Sequence, residues 1–110
     1  MEAFILNIEQ FRNLIEHWNI EKQTIEQFWI GFNIYRFDQE DEFCSIFGEF
    51  IQGDVDYYFI KISLELRNFP ELVNQVVSYL SIEYKGENVG EFRVYFNLDG
   101  KISDFDLILY

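Results

Sequence analysis

Ten consecutive residues, Tyr58 to Arg67, alternate in character: Tyr58, Ile60, Ile62, Leu64 and Leu66 interleave with Phe59, Lys61, Ser63, Glu65 and Arg67. A period of two places every second side chain on one face of a strand, and a strand must find hydrogen-bonding neighbours. The C-terminal third supplies candidates. Ile82 and Tyr84, then Phe92, Val94 and Phe96, then Ile102, Phe105, Leu107 and Leu109 form three short alternating runs. The turns between them are Lys85–Asn88 and Asn97-Leu98-Asp99-Gly100, and together these predict a β-meander. The apolar Leu107-Ile108-Leu109 implies a last strand that is internal to the sheet or covered, while Asp104 and Asp106 give it an acidic side. Ahead of the meander, Pro70 and Glu71 have the chemistry of a helix start, and Leu72, Val73, Val76, Val77 and Leu80 fit helical spacing, predicting a helix near 70–80.

Upstream, Ile8, Phe11, Ile15 and Trp18 recur at helical spacing with Phe4 and Leu14 beside them, and Glu9, Arg12, Asn13 and Glu16 take the other face. This predicts an amphipathic N-terminal helix, with Asn7 and Gln10 at capping spacing. Asn19 to Thr24 reads as a connection. Over 25–51 two readings compete. Phe28, Ile30, Phe32 and Ile34 alternate with Trp29, Gly31, Asn33 and Tyr35, which favours a strand, and Gly31 counts against a helix. Thr24 with Gln27, and the repeat of Ile-Glu-Gln-Phe at 8–11 and 25–28, favour a second helix. Beyond a polar turn at Asp38–Asp41, Glu42–Ile51 is a returning strand, or a short helix through Phe43, Ile46, Phe47 and Phe50; Gln52-Gly53-Asp54 is a turn either way. The expected fold class is α+β: one domain over 1–110, an antiparallel sheet, an N-terminal helix, a second helix near 70–80 and a C-terminal β-meander.

With 49% hydrophobic and 20% aromatic residues, the chain has the means to bury a core despite a net charge of −12. That charge repels nucleic-acid phosphates and anionic membranes and attracts basic proteins. The apolar run Phe28–Phe37 is too short to span a bilayer. Met1-Glu2 lacks a signal peptide's basic start and Cys44 has no second cysteine to bridge to, so a cytoplasmic location is the default expectation. His17 is the single histidine, and phosphate-binding glycine loops and paired CxxC motifs are absent. Asp99-Gly100 lacks the ligand alternation of a calcium loop. No enzyme, metal site or cofactor is expected from these residues.

One stretch carries the charge. Between Arg36 and Lys61 the chain has no basic residue, yet it holds Asp38, Glu40, Asp41, Glu42, Glu49, Asp54 and Asp56 among phenylalanines, tyrosines and isoleucines. Carboxylates next to aromatic side chains reproduce the charge of a phosphate backbone with stacking surfaces beside it, so these seven are the candidate partner-binding residues. In addition, Tyr84-Lys85-Gly86, Val89-Gly90-Glu91-Phe92 and Asn97-Leu98-Asp99-Gly100-Lys101-Ile102-Ser103-Asp104 resemble the closing hairpins of small bacterial immunity proteins, which neutralise contact-dependent or polymorphic toxins. The resemblance covers the last thirty residues or so and carries over no binding position. It implies a cognate toxin domain, often a nuclease, as the basic partner, and no activity of the protein's own. The competing expectations are a phage-encoded nucleic-acid mimic directed at a host defence protein, a small ligand-binding or enzymatic α+β domain, and a structural or oligomerisation domain whose aromatic residues cover a dimer interface.

Overall fold

The computed structural model describes residues 8–68 and 70–110. Three helices, α1 (Ile8–His17), α2 (Ile20–Asp38) and α3 (Glu40–Phe47), precede a 3-10 turn at Gln52–Asp54 and four strands, β1 (Val55–Arg67), β2 (Val73–Tyr84), β3 (Glu87–Asn97) and β4 (Ile102–Leu109). The strands form one antiparallel sheet in the order β1-β2-β3-β4. The class is α+β, with N-terminal helices on one face of a C-terminal meander. Phe4, Asn7 and Phe69 lie outside the described residues.

Of the two readings over 25–51 the helical one holds: the strand favoured at Phe28–Tyr35 is instead the middle of α2. Ile20, Thr24, Phe28, Gly31 and Phe32 follow helical spacing and are all buried, forming the stripe that rests on the sheet. The apparent period of two came from Ile30 and Ile34, which lie on the opposite side of the same helix and are 54% and 50% exposed. Gly31 does not break the helix. A Cβ there would stand 2.8 Å from the Phe105 ring, so the missing side chain lets α2 approach β4. Similarly, Glu42–Ile51 is mostly α3, with Phe43 and Phe47 buried. The connection expected at 19–24 shrinks to Asn19 in left-handed conformation (φ 53°), and Ile20 already opens α2.

The helix expected near 70–80 is a strand. Val73–Tyr84 pairs with β1 on one side and β3 on the other, and β-branched Val73, Val76, Val77 and Ile82 suit that pleated environment. Val76, Ser78, Leu80, Ile82 and Tyr84 are buried beneath the helices, and Val77 is fully buried on the opposite face, between Ser63 and Tyr95 in register. A central strand that is apolar on both sides loses its alternation, and helical spacing then emerges by coincidence. Pro70 and Glu71 belong to the β1–β2 connection.

The long strand read at Tyr58–Arg67 holds, and it extends back to Val55 with an irregularity between Phe59 and Lys61 that leaves Ile60 as the extra residue. Lys85 and Gly86, with φ of 51° and 81°, close β2 onto β3 in a two-residue turn. Of the two placements expected for β4, internal or covered, the second holds: it is an edge strand whose Phe105, Leu107 and Leu109 pack against the core.

The core lies between α2, α3 and the sheet and is largely aromatic. Phe28 meets Phe92 edge-on at 5.4 Å between ring centroids, and Phe32 meets Phe43 and Phe47 at 5.5 and 5.4 Å. Such pairs add about 0.5–1.5 kcal/mol each beyond the burial of their area. Within this apolar layer, one buried polar contact links α2 to β2: the hydroxyls of Thr24 and Ser78, 3.0 Å apart.

Candidate functional site

Most of the acidic stretch is folded as a corner. Gln39 joins α2 to α3: its N–H donates to the Tyr35 carbonyl at 2.8 Å, and its carbonyl accepts from the Phe43 N–H at 2.8 Å. Glu40, Asp41 and Glu42 therefore occupy the first turn of α3, where the positive helix end stabilises each by about 0.3–1 kcal/mol. Asp38 has no such local reason. It is the last residue of α2, where a negative charge opposes the helix dipole.

The other three carboxylates follow α3. Phe47 and Phe50 pack on Tyr84 at 5.2 and 5.6 Å. The Tyr84 hydroxyl accepts the Ile51 N–H at 2.9 Å and donates to the Glu49 carbonyl at 3.3 Å, pinning the 49–51 segment to the end of β2. Asp54 is held through its carbonyl, which accepts from the Lys85 N–H at 3.1 Å, and Asp56 pairs in register with Glu83. The seven residues thus form two groups along the chain, one at the start of α3 and one between its end and the start of β1.

Asp38, Glu40, Asp41, Glu42, Glu49 and Asp56 are exposed, and Asp54 is half-buried. Among the described residues the one ion pair is Arg93 with Glu91 at 2.8 Å on the outer sheet face, so the seven carboxylates are not neutralised by ion pairs there. Arg36 sits over the rings of Phe43 and Phe50 at 5.3 and 5.0 Å. Two tyrosines feel these carboxylates. Tyr35, whose buried hydroxyl faces Glu42, has its pKa raised first by burial and then by the Glu42 carboxylate. Exposed Tyr58 has its pKa raised chiefly by Glu83 and then by Asp56.

Three residues that charge reasoning passed over share this corner. Ile30, Ile34 and Phe37 recur at helical spacing on the back of α2 and are 54%, 50% and 82% exposed, forming an apolar stripe that runs into Asp38. The signal was available: a helical reading of 28–37 has more apolar residues than one buried face can use. Beside Phe37 lies an open groove of about 670 Å³ lined by Asn33, Arg36, Glu40, Phe43, Cys44 and Phe50 among others. His17 is exposed at the end of α1 and Cys44 is an exposed free thiol on α3. No group of three or more His, Cys, Asp or Glu side chains among the described residues is arranged to hold a metal ion. No helix among them is long and apolar enough to cross a membrane. Comparison with known protein families, curated proteins and solved structures found no match.

Proposed function

We propose that this protein binds and blocks a basic protein, in the manner of an immunity protein that occupies the cationic surface of a toxin domain such as a nuclease. The observation that carries the reading is the juxtaposition at the α2–α3 corner: the exposed apolar Ile34 and Phe37 lie next to Asp38, Glu40, Asp41 and Glu42, whose charges no ion pair among the described residues offsets. Exposed apolar residues beside a charged rim suit a protein interface, where apolar anchors supply affinity and charges speed encounter. The mode of action is occupancy. Lysines and arginines of the partner meet the carboxylates, with Glu49, Asp54 and Asp56 extending the field along α3.

The test is affinity capture from the source cell with three baits: wild type, the charge variant Asp38→Asn/Glu40→Gln/Asp41→Asn/Glu42→Gln, and the apolar variant Ile34→Ala/Phe37→Ala. Wild type should retain a basic protein and inhibit its activity. The charge variant should bind it more weakly and with a shallower salt dependence. The apolar variant should bind more weakly with the salt dependence unchanged. Equal capture by wild type and charge variant in low salt refutes the reading.

A further inference from the structure

The helix layer stops short of one edge of the sheet. α2, about 28 Å long at 1.5 Å per residue, lies across β2, β3 and β4. β1, at 13 residues, is about 43 Å long. On the helix side of β1, exposure climbs as the strand leaves the helices, from 8% at Val55 to 40% at Leu64 and 65% at Leu66. β1 is an edge strand, so its outer row of backbone N–H and C=O groups pairs with no other strand among the described residues. A long apolar edge of this kind is a template for another strand.

The charges along β1 select which strand. The chain as a whole carries −12, yet the segment from Tyr57 to Arg67 holds Lys61, Glu65 and Arg67, a local excess of one positive charge. Two otherwise repelling bodies can meet here without facing carboxylates. In an antiparallel self-pairing with Ser63 opposite Ser63 of a second copy, Lys61 stands opposite Glu65 twice and Ile62 opposite Leu64 twice. Sliding two residues one way sets Lys61 against Arg67; sliding the other way sets Lys61 against Ser63 and away from Glu65. Lys61 and Glu65 are already ordered by β2, Lys61 over the Tyr79 ring at 4.7 Å and Glu65 by a hydrogen bond from the Gln75 amide at 3.0 Å. The other edge, β4, carries only Asp104 and Asp106 as charges, so its self-pairing brings carboxylates together.

We infer that the protein forms a two-fold symmetric dimer through antiparallel β1–β1 pairing centred on Ser63, giving a continuous eight-stranded sheet and covering Leu64 and Leu66 with the second copy. A symmetric edge pairing closes on itself, so assembly stops at two. The β1 edge is separate from the α2–α3 corner, and the inference does not depend on the proposed function.

Sedimentation of the full chain from micromolar to millimolar concentration tests it. The expected result is a reversible monomer–dimer equilibrium. Lys61→Glu and Glu65→Lys should each weaken the dimer about tenfold, because each sets like charges opposite one another at two places, and the double variant should restore wild-type affinity. Glu65→Lys is the sharper arm: it reduces overall repulsion, so only a specific register makes it weaken association. Backbone amides of residues 61–67 should gain protection from hydrogen exchange as concentration rises, a readout on the wild-type chain that needs no variant. A monomer at every concentration overturns the inference. So does a dimer indifferent to both charge reversals, or an open-ended oligomer of the kind β1-to-β4 pairing would produce.

Discussion

Thr24 and Ser78 offer a quantitative test of how α2 is registered on the sheet. Both are fully buried. The Thr24 hydroxyl donates to the Ile20 carbonyl at 2.6 Å, and it has one proton to give, so the Ser78 hydroxyl supplies the proton for the 3.0 Å contact between them. The two residues are therefore not equivalent. Thr24→Val keeps the shape but leaves the Ser78 hydroxyl buried without its partner, which should cost about 2 kcal/mol. Ser78→Ala leaves Thr24 bonded to Ile20 and removes the group that would otherwise be stranded, so about 0.5–1 kcal/mol is expected. The double variant replaces the pair by apolar contact and should be no worse than about 1 kcal/mol, giving a coupling of about 1–2 kcal/mol between the two sites. Urea denaturation monitored by circular dichroism measures all three differences, and on a chain of this size each kcal/mol should also move the melting temperature by a few degrees. The reasoning fails if Thr24→Val costs no more than Ser78→Ala, or if the two effects simply add.

Two more outcomes follow from close contacts and charge. Gly31→Val should lower stability by at least about 2 kcal/mol, since the new side chain must enter the space held by the Phe105 ring, 2.8 Å from where a Cβ would lie. Adding Phe105→Ala should recover part of that loss in the same denaturation assay. The Tyr58 phenol should titrate above the ordinary tyrosine value because negative neighbours oppose formation of the phenolate; Glu83→Gln should bring it down further than Asp56→Asn, as followed by the NMR shift of its ring carbon against pH.

The parts of the fold that were legible from the residues were those with one buried side and one wet side. The amphipathic α1 turns Phe11 and Ile15, with Trp18 just beyond it, onto the core, and the turns at Lys85–Gly86 and Asn97–Gly100 carry their own residue signals. β1 was legible as a strand, although the irregularity between Phe59 and Lys61 shifts its helix-facing set from Val55, Tyr57 and Phe59 to Ile62, Leu64 and Leu66, of which Leu64 and Leu66 stay exposed. The misread parts are apolar on more than one side. α2 carries Ile30, Ile34 and Phe37 behind its buried stripe, so its pattern mixes two periods; β2 buries Val77 on the face opposite Leu80 and Ile82, so its alternation vanishes. The acidic surface divides in the same way. Its charge could be read directly, because carboxylates without cations stand out in a sequence. Its shape could not, because it depends on contacts between residues far apart along the chain, such as Tyr84 with Glu49 and Ile51, and on a helix whose start at Glu40 coincides with the run of acid.

The Tyr84 tether also governs how binding and unfolding communicate. Its side chain reaches the 49–51 segment from the end of a strand paired on both sides, so release of that segment strands the phenol that anchors it to an inner strand. A protein seated on Glu49 and its neighbours would thereby hold the end of β2 through a single phenol. By mass action its free energy of association would add to the resistance of the whole sheet to unfolding, not merely to that of the helical corner. Protection from hydrogen exchange spreading into β2 on complex formation would be the mark of that coupling, and a phenylalanine at 84 would confine it to the surface.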